Sequence, residues 1–163
     1  MPNTNKPQGF EPSDTEGKSV RVKKYLKAAG SEIGIGDPVS QTAAGTIALY
    51  TVGSGANLLG VSMEYKASAA TGDILICDDP EAVYECQASF AFAATDVFFN
   101  CEVVLGTVAN LMSAAAVNAP ATGATLPFKI VGLVTRDDNA VGSFARILVK
   151  PNQHAFKAGT AGI

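Results

Sequence analysis

One histidine, His154, lies between Gln153 and Ala155 near the C-terminal end. A serine or cysteine nucleophile would depend on it, because the base must take the nucleophile's proton. No GxSxG elbow accompanies it. Isolated in this way, the imidazole is expected at a surface or interface rather than in a catalytic triad. Asp78-Asp79 and Asp137-Asp138 are adjacent acid pairs in turn-like text, Asp78-Asp79-Pro80 and Asp137-Asp138-Asn139. Carboxylate oxygens suit calcium, but the DxDxDG spacing of an EF-hand loop is absent. Aspartate in such turns is explained by side-chain bonds to nearby backbone N–H groups. Gly34-x-Gly36 and Gly53-x-Gly55 do not extend to GxGxxG, and there is no Walker sequence. The expectation is a protein without catalytic residues, cofactor or resident metal.

The remaining chemically active groups are thiols and cations. Cys77, Cys86 and Cys101 are odd in number, lack CxxC spacing and sit among apolar residues. They are expected as buried free thiols in a reducing compartment. Lys18, Arg21, Lys23 and Lys24 form a basic cluster able to meet an acidic partner. Its setting is asymmetric. Residues 1–27 carry six Lys/Arg against three acids, and residues 28–128 carry ten acids and one base, Lys66. From Lys129 to the end, five bases face two acids. Such a distribution orients a protein on a charged surface. A pI near 5.1 and a net charge of −3 argue against a dedicated nucleic-acid binder. Charged residues make up 17%, low for a soluble domain, which suits a surface partly covered by a neighbour.

The elements that would carry these groups read as strands. Residues 1–18 lack periodicity and hold three Pro and two Gly, so a flexible N-terminal arm that orders on a partner is expected there. Residues 19–163 read as a single β domain. Val20–Leu26 alternates apolar and basic residues like a half-exposed strand. Val39, Thr46–Tyr50, Leu58–Tyr65, Ile74–Cys77, Ala82–Ala88, Val97–Leu105, Phe128–Val134 and Phe144–Val149 follow, separated by Gly, Pro, Asp and Asn turns. Short strands near ten-residue spacing predict an all-β fold, a small β-barrel or β-sandwich. At most one short helix or turn is allowed, at Leu105–Val117. Val103–Phe128 is uncharged but broken by Asn110, Asn118, Pro120, Gly123 and Pro127, so no membrane span is expected. Met1–Phe10 is polar, without the apolar core of a signal peptide.

Several of these segments together resemble the head decoration, or capsid cement, proteins of tailed phages. They are Val22-Lys23-Lys24-Tyr25, Gly36-Asp37-Pro38-Val39, Leu58-Leu59-Gly60-Val61 and the run Asp78–Ala88. The longest are Phe128–Gly142, reading FKIVGLVTRDDNAVG, and Ile147–His154, reading ILVKPNQH; Ala158–Ile163 resembles the family's terminus. The likeness runs from about residue 20 to the end. It departs from the family at Val141, where an aromatic is frequent, and at Asp137, where proline is. The resemblance implies a virion protein, made in the host cytoplasm, that sits on the capsid surface, bridges major capsid protein subunits and is often a homotrimer. Lys18, Arg21, Lys23 and Lys24 would then be the capsid-facing cations, and uncharged loops such as Ala114–Thr125 would pack on symmetry mates. A tail-tube or connector protein is the structural alternative, and a small ligand- or sugar-binding barrel a more distant one.

Overall fold

The computed structural model describes residues 3–13, 19–55 and 57–163. Their architecture is all-β, in two packed assemblies. The strands are β1 (Glu11–Pro12), β2 (Val22–Lys27), β3 (Pro38–Gln41), β4 (Ile47–Leu49), β5 (Leu58–Ser62) and β6 (Gly72–Cys77). They continue with β7 (Tyr84–Gln87), β8 (Asn100–Val104), β9 (Ala116–Ala121), β10 (Phe128–Leu133) and β11 (Arg146–Pro151). Among the described residues, the one helical piece is a 3₁₀ turn at Ala94–Asp96.

The first assembly is a closed barrel in the order β2-β4-β3-β5-β6. Ile33, Val39, Ile47, Leu59, Ile74 and Ile76 fill its interior, with Tyr25 packed against them. A barrel of this size holds side chains rather than a ligand. Gly60 on β5 is needed for closure: a Cβ there would stand 2.1 Å from the Cys77 carbonyl oxygen. The second assembly is a six-stranded sheet in the order β1-β7-β11-β10-β8-β9. A parallel bridge between Ala88 and Val117 rolls this sheet back toward itself.

One apolar cluster joins the two assemblies. Leu58, Val61 and Cys77 leave the barrel and pack with Tyr84, Cys86, Cys101, Val117, Phe128, Ile130, Ile147 and Val149 of the sheet. All five residues of β5 are therefore buried, because this strand has the barrel core on one face and the shared core on the other.

Two expectations need correcting. The N-terminal segment was expected to be loose, yet residues 3–13 lie against the domain. Phe10 is 1% exposed, stacked on Phe128 with ring centroids 4.5 Å apart and edge-on to Tyr84 at 6.5 Å. Its N–H donates to the Gly36 carbonyl at 2.9 Å, and β1 pairs with β7. Asn3 is held at both ends of its amide by Ala140 and Ser143. Proline and glycine richness signalled an irregular path there, and one buried aromatic ring repays its ordering. Residues 1–2 and 14–18 lie outside the described residues.

Of the short helix or turn allowed at Leu105–Val117, the structure holds the turn. Asn110 and Leu111 take left-handed φ values of 50° and 69° in the turn Ala109–Met112, and β9 begins at Ala116. The Ala114–Thr125 segment, read as a loop, thus contains a strand that pairs with β8 from Ala116 to Ala121.

Candidate partner-binding surface

Of the predicted basic cluster, Arg21, Lys23 and Lys24 lie on or beside β2, and Lys18 lies outside the described residues. β2 pairs with β6 along its whole length, from Val22↔Cys77 to Lys27↔Gly72. With β4 it shares one parallel pair, Lys27↔Ile47. The barrel is therefore sealed at one end of this seam and parted along the rest. Tyr25 and Lys27 face inward, while Val22, Lys24 and Leu26 face outward. Val22 is 42% and Leu26 53% exposed, whereas Lys27 is 1% exposed. The alternation seen in the sequence is real, but Val22 and Leu26 point to solvent and Lys27 points in. The Lys27 ammonium survives burial by donating to the carbonyls of Ala28, Ala70 and Ser68 at 2.8, 3.1 and 3.4 Å. Burial, with Lys66 adding repulsion, holds its pKa below the ordinary lysine value.

At the end of the barrel where β2 begins, the structure brings Arg21, the Asp78-Asp79 turn and the His154 segment together. The Arg21 guanidinium donates from Nε to Asp78 Oδ1 at 2.7 Å and from Nη2 to the Asp78 carbonyl at 2.9 Å. Tyr25 donates its hydroxyl to Asp78 Oδ2 at 2.5 Å. Both carboxylate oxygens are thus engaged by donors. Burial alone would raise Asp78, but the Arg21 and Tyr25 hydrogen bonds outweigh it and leave its pKa below the usual value. Burial, then the bond to Asp78, pushes the Tyr25 phenol up to about 12. Asp79 Oδ1 accepts from the Glu81 N–H at 2.9 Å, the backbone role expected of a turn aspartate.

The Arg21 guanidinium also stands 4.9 Å from the centre of the exposed Phe156 ring. Two residues earlier, His154 is buried, and its Nδ1 accepts from the Phe156 N–H at 3.2 Å. Its Nε2 is buried without a hydrogen-bond partner. Burial lowers its pKa, with the nearby Leu59 backbone working the other way without closing a bond. The ring is a neutral packing group. Arg21 is committed to the Asp78 turn, and Lys23 stands 5.3 Å from the Tyr25 ring centre. Lys24 is exposed on the outer face.

A second cationic region, not singled out from the sequence, lies where residues 3–6 cross the turn between β10 and β11. A cleft of about 260 Å³ there is lined by Lys6, Arg136, Asp138, Asn139, Phe144 and Arg146, among others. The buried Glu85 joins both arginines, bonding Arg136 and lying 3.9 Å from Arg146 Nη1. Arg146 Nη2 donates to Gln8 Oε1 at 2.7 Å, tying the N-terminal segment to β11. Alternating strand text gave no sign that Glu85, Arg136 and Arg146 would meet, because the β7–β11 register brings Glu85 near Arg146 and the turn after β10 supplies Arg136.

Three asparagines hold backbone together. Asn139 donates to the carbonyls of Val134 and Arg146 and accepts from the Arg146 N–H, all at 2.7–2.8 Å. Asn152 donates to Ala124 and Leu126 and accepts from Thr160, pinning the terminal segment to the turn before β10. Asn100, fully buried, donates to Gly123 and Thr160. The three cysteines are free and buried, and burial raises each thiol's pKa. Among the described residues, no group of three or more His, Cys, Asp and Glu could hold a metal ion. No helix of the described chain is long and apolar enough to cross a membrane. No protein-family model, curated protein or solved structure matches the chain.

Proposed function

We propose that this is a structural protein of a tailed-phage head, binding the outer surface of the capsid and bridging major capsid subunits to stabilise the shell. The observation that carries the reading is the outward display of Val22, Lys24 and Leu26 on β2, a mixed apolar and cationic strip on a chain of net charge −3. Surface of this kind is suited to burial against a partner. The sequence resemblance supplies the partner, and the structural part played by Asn139 and Asn152, which lie in the resembling segments, agrees with a protein whose distinctive residues stiffen loops. The docked N-terminal segment moves the role first given to a loose arm onto β2 and its surroundings. A homotrimer would present several such strips at once, so weak contacts would add in avidity.

The test is to incubate the purified chain with shells that lack it and image them by electron microscopy, with its mass in solution measured alongside. Regular protrusions on intact shells, and a trimer in solution or on the lattice, are expected. Rings or stacked tubes formed by the chain alone would favour a tail-tube or connector role. The ligand-barrel alternative is weakened by the apolar filling of the barrel and by a cleft with one aromatic lining residue, Phe144.

A further inference from the structure

We infer that the seam edge of β2 is a docking strand, built to take an extended acidic segment of the partner by strand addition. The inference specifies the partner chemistry of the surface proposed above and rests on that reading for the partner's source.

The backbone makes the first part of the case. The Arg21 carbonyl accepts from Asp78 N–H at 3.2 Å, and Ala28 N–H donates to the Ile47 carbonyl at 3.1 Å. In a strand, N–H and C=O of one residue share a side, and the side alternates. Odd-numbered residues of β2 therefore bond toward β6, and even-numbered ones point into the seam. Since β4 engages at Lys27↔Ile47 alone, Val22 and Lys24 turn both backbone groups, and Leu26 its N–H, to a side where no strand is paired. A row of open donors and acceptors is the template that strand addition uses.

The side chains say which strand it would accept. Val22 and Leu26 flank Lys24 on the outer face, at the two-residue spacing with which an added strand sets its own side chains. Among the described residues, no carboxylate pairs with Lys23 or Lys24. A second copy of β2 would bring lysine beside lysine, which is unfavourable across a strand pair. The same lysines match a segment carrying Asp or Glu, so they repel a second copy while admitting an acidic partner.

The edge is also preorganised. Its start is held by Arg21 on Asp78, and its end by the three carbonyls around Lys27. An incoming segment has little of β2 left to order. A cleft of about 380 Å³ is lined by Gln41, Thr42, Ala43, Asn57 and Ala155, the last being the chain neighbour of the Phe156 that Arg21 faces.

The experiment uses the full chain and, as probe, a capped peptide of about ten alternating valine and glutamate residues, followed by amide NMR. The valine–lysine counterpart serves as control. Binding should protect the Val22, Lys24 and Leu26 amides and weaken as salt rises. Lys24→Pro removes a seam-facing N–H without touching the β6 ladder and should cost at least about tenfold in affinity. Lys24→Glu keeps the backbone and should move the preference to the valine–lysine peptide, so the test survives if the proline variant does not fold. An absent or unselective peptide response, or one mapping away from β2, would overturn the inference. Parallel trials on shells separate the two readings. If the parent decorates shells but shows no peptide response at β2, docking by this edge is refuted and the capsid reading stands. If the peptide binds at β2 but shells stay bare, the edge is supported and the capsid source is lost.

Discussion

Replacing Phe10 by alanine separates a docked N-terminal strand from a loose arm. The ring is 1% exposed, stacks on Phe128 at 4.5 Å and meets Tyr84 edge-on. Removing a buried phenylalanine side chain costs about 3–5 kcal/mol when the cavity cannot collapse. Collapse is opposed here because Phe128 and Tyr84 also meet each other, with centroids 6.2 Å apart, and are fixed on β10 and β7. For a chain of 163 residues that loss lowers the melting temperature by about 6–20 °C. Urea unfolding followed by far-UV circular dichroism gives the free energy, and amide exchange at Phe10, whose N–H is bonded to Gly36, reports undocking directly. A loose arm would leave both the midpoint and the exchange rate of the core unchanged. A shift of less than about 0.5 kcal/mol would refute the docking argument, since that is the size of an ordinary surface change.

Three further outcomes follow from the packing and the ionisation. His154 is held below its ordinary value of 6.5, so its contribution is complete above that pH and declines as the pH falls toward the lower folded value. His154→Gln should flatten the melting temperature between about pH 7 and 5, where the parent falls. Asp78 is likewise depressed below 3.8, so its stabilisation is present above that pH and lost on further acidification. Asp78→Asn should be less stable than the parent at pH 7 and approach it near pH 2, in urea titrations at each pH. Gly60→Ala, which sets a methyl group 2.1 Å from the Cys77 carbonyl oxygen, should destabilise by about 1–3 kcal/mol or more, read as a lower urea midpoint.

Much of the β text was legible because turn residues punctuate it. Gly72-Asp73 opens β6, Asp78-Asp79-Pro80 closes it, and Val39, Ile47, Leu58 and Ile130 fall in strands as their apolar runs suggested. β9 was missed because Ala116–Ala121, with Asn118 and Pro120 inside, has neither β-branched density nor clean alternation. It is a strand because β8 supplies a ladder, which no local pattern records. β1 is two residues long and exists through the anchoring of Phe10. In β2 the alternation marked a half-exposed strand without saying which side chains turn inward. An inward lysine can be told from an outward one only once the carbonyls of Ala28, Ser68 and Ala70 are in place. The basic cluster was similarly half-readable: Lys18 lies outside the described residues, and the other three cations became one committed to Asp78, one beside an aromatic ring and one exposed on the outer face.

The three sequestered thiols make the molecule its own unfolding clock. Cys77 belongs to the barrel, while Cys86 and Cys101 belong to the sheet, and each is fully enclosed. A thiolate-seeking reagent supplied outside would wait for an opening event before it could react, so its rate would count such events. Because the labels fall in different assemblies, mass analysis of early products would reveal whether the barrel and the sheet breathe separately or surrender together.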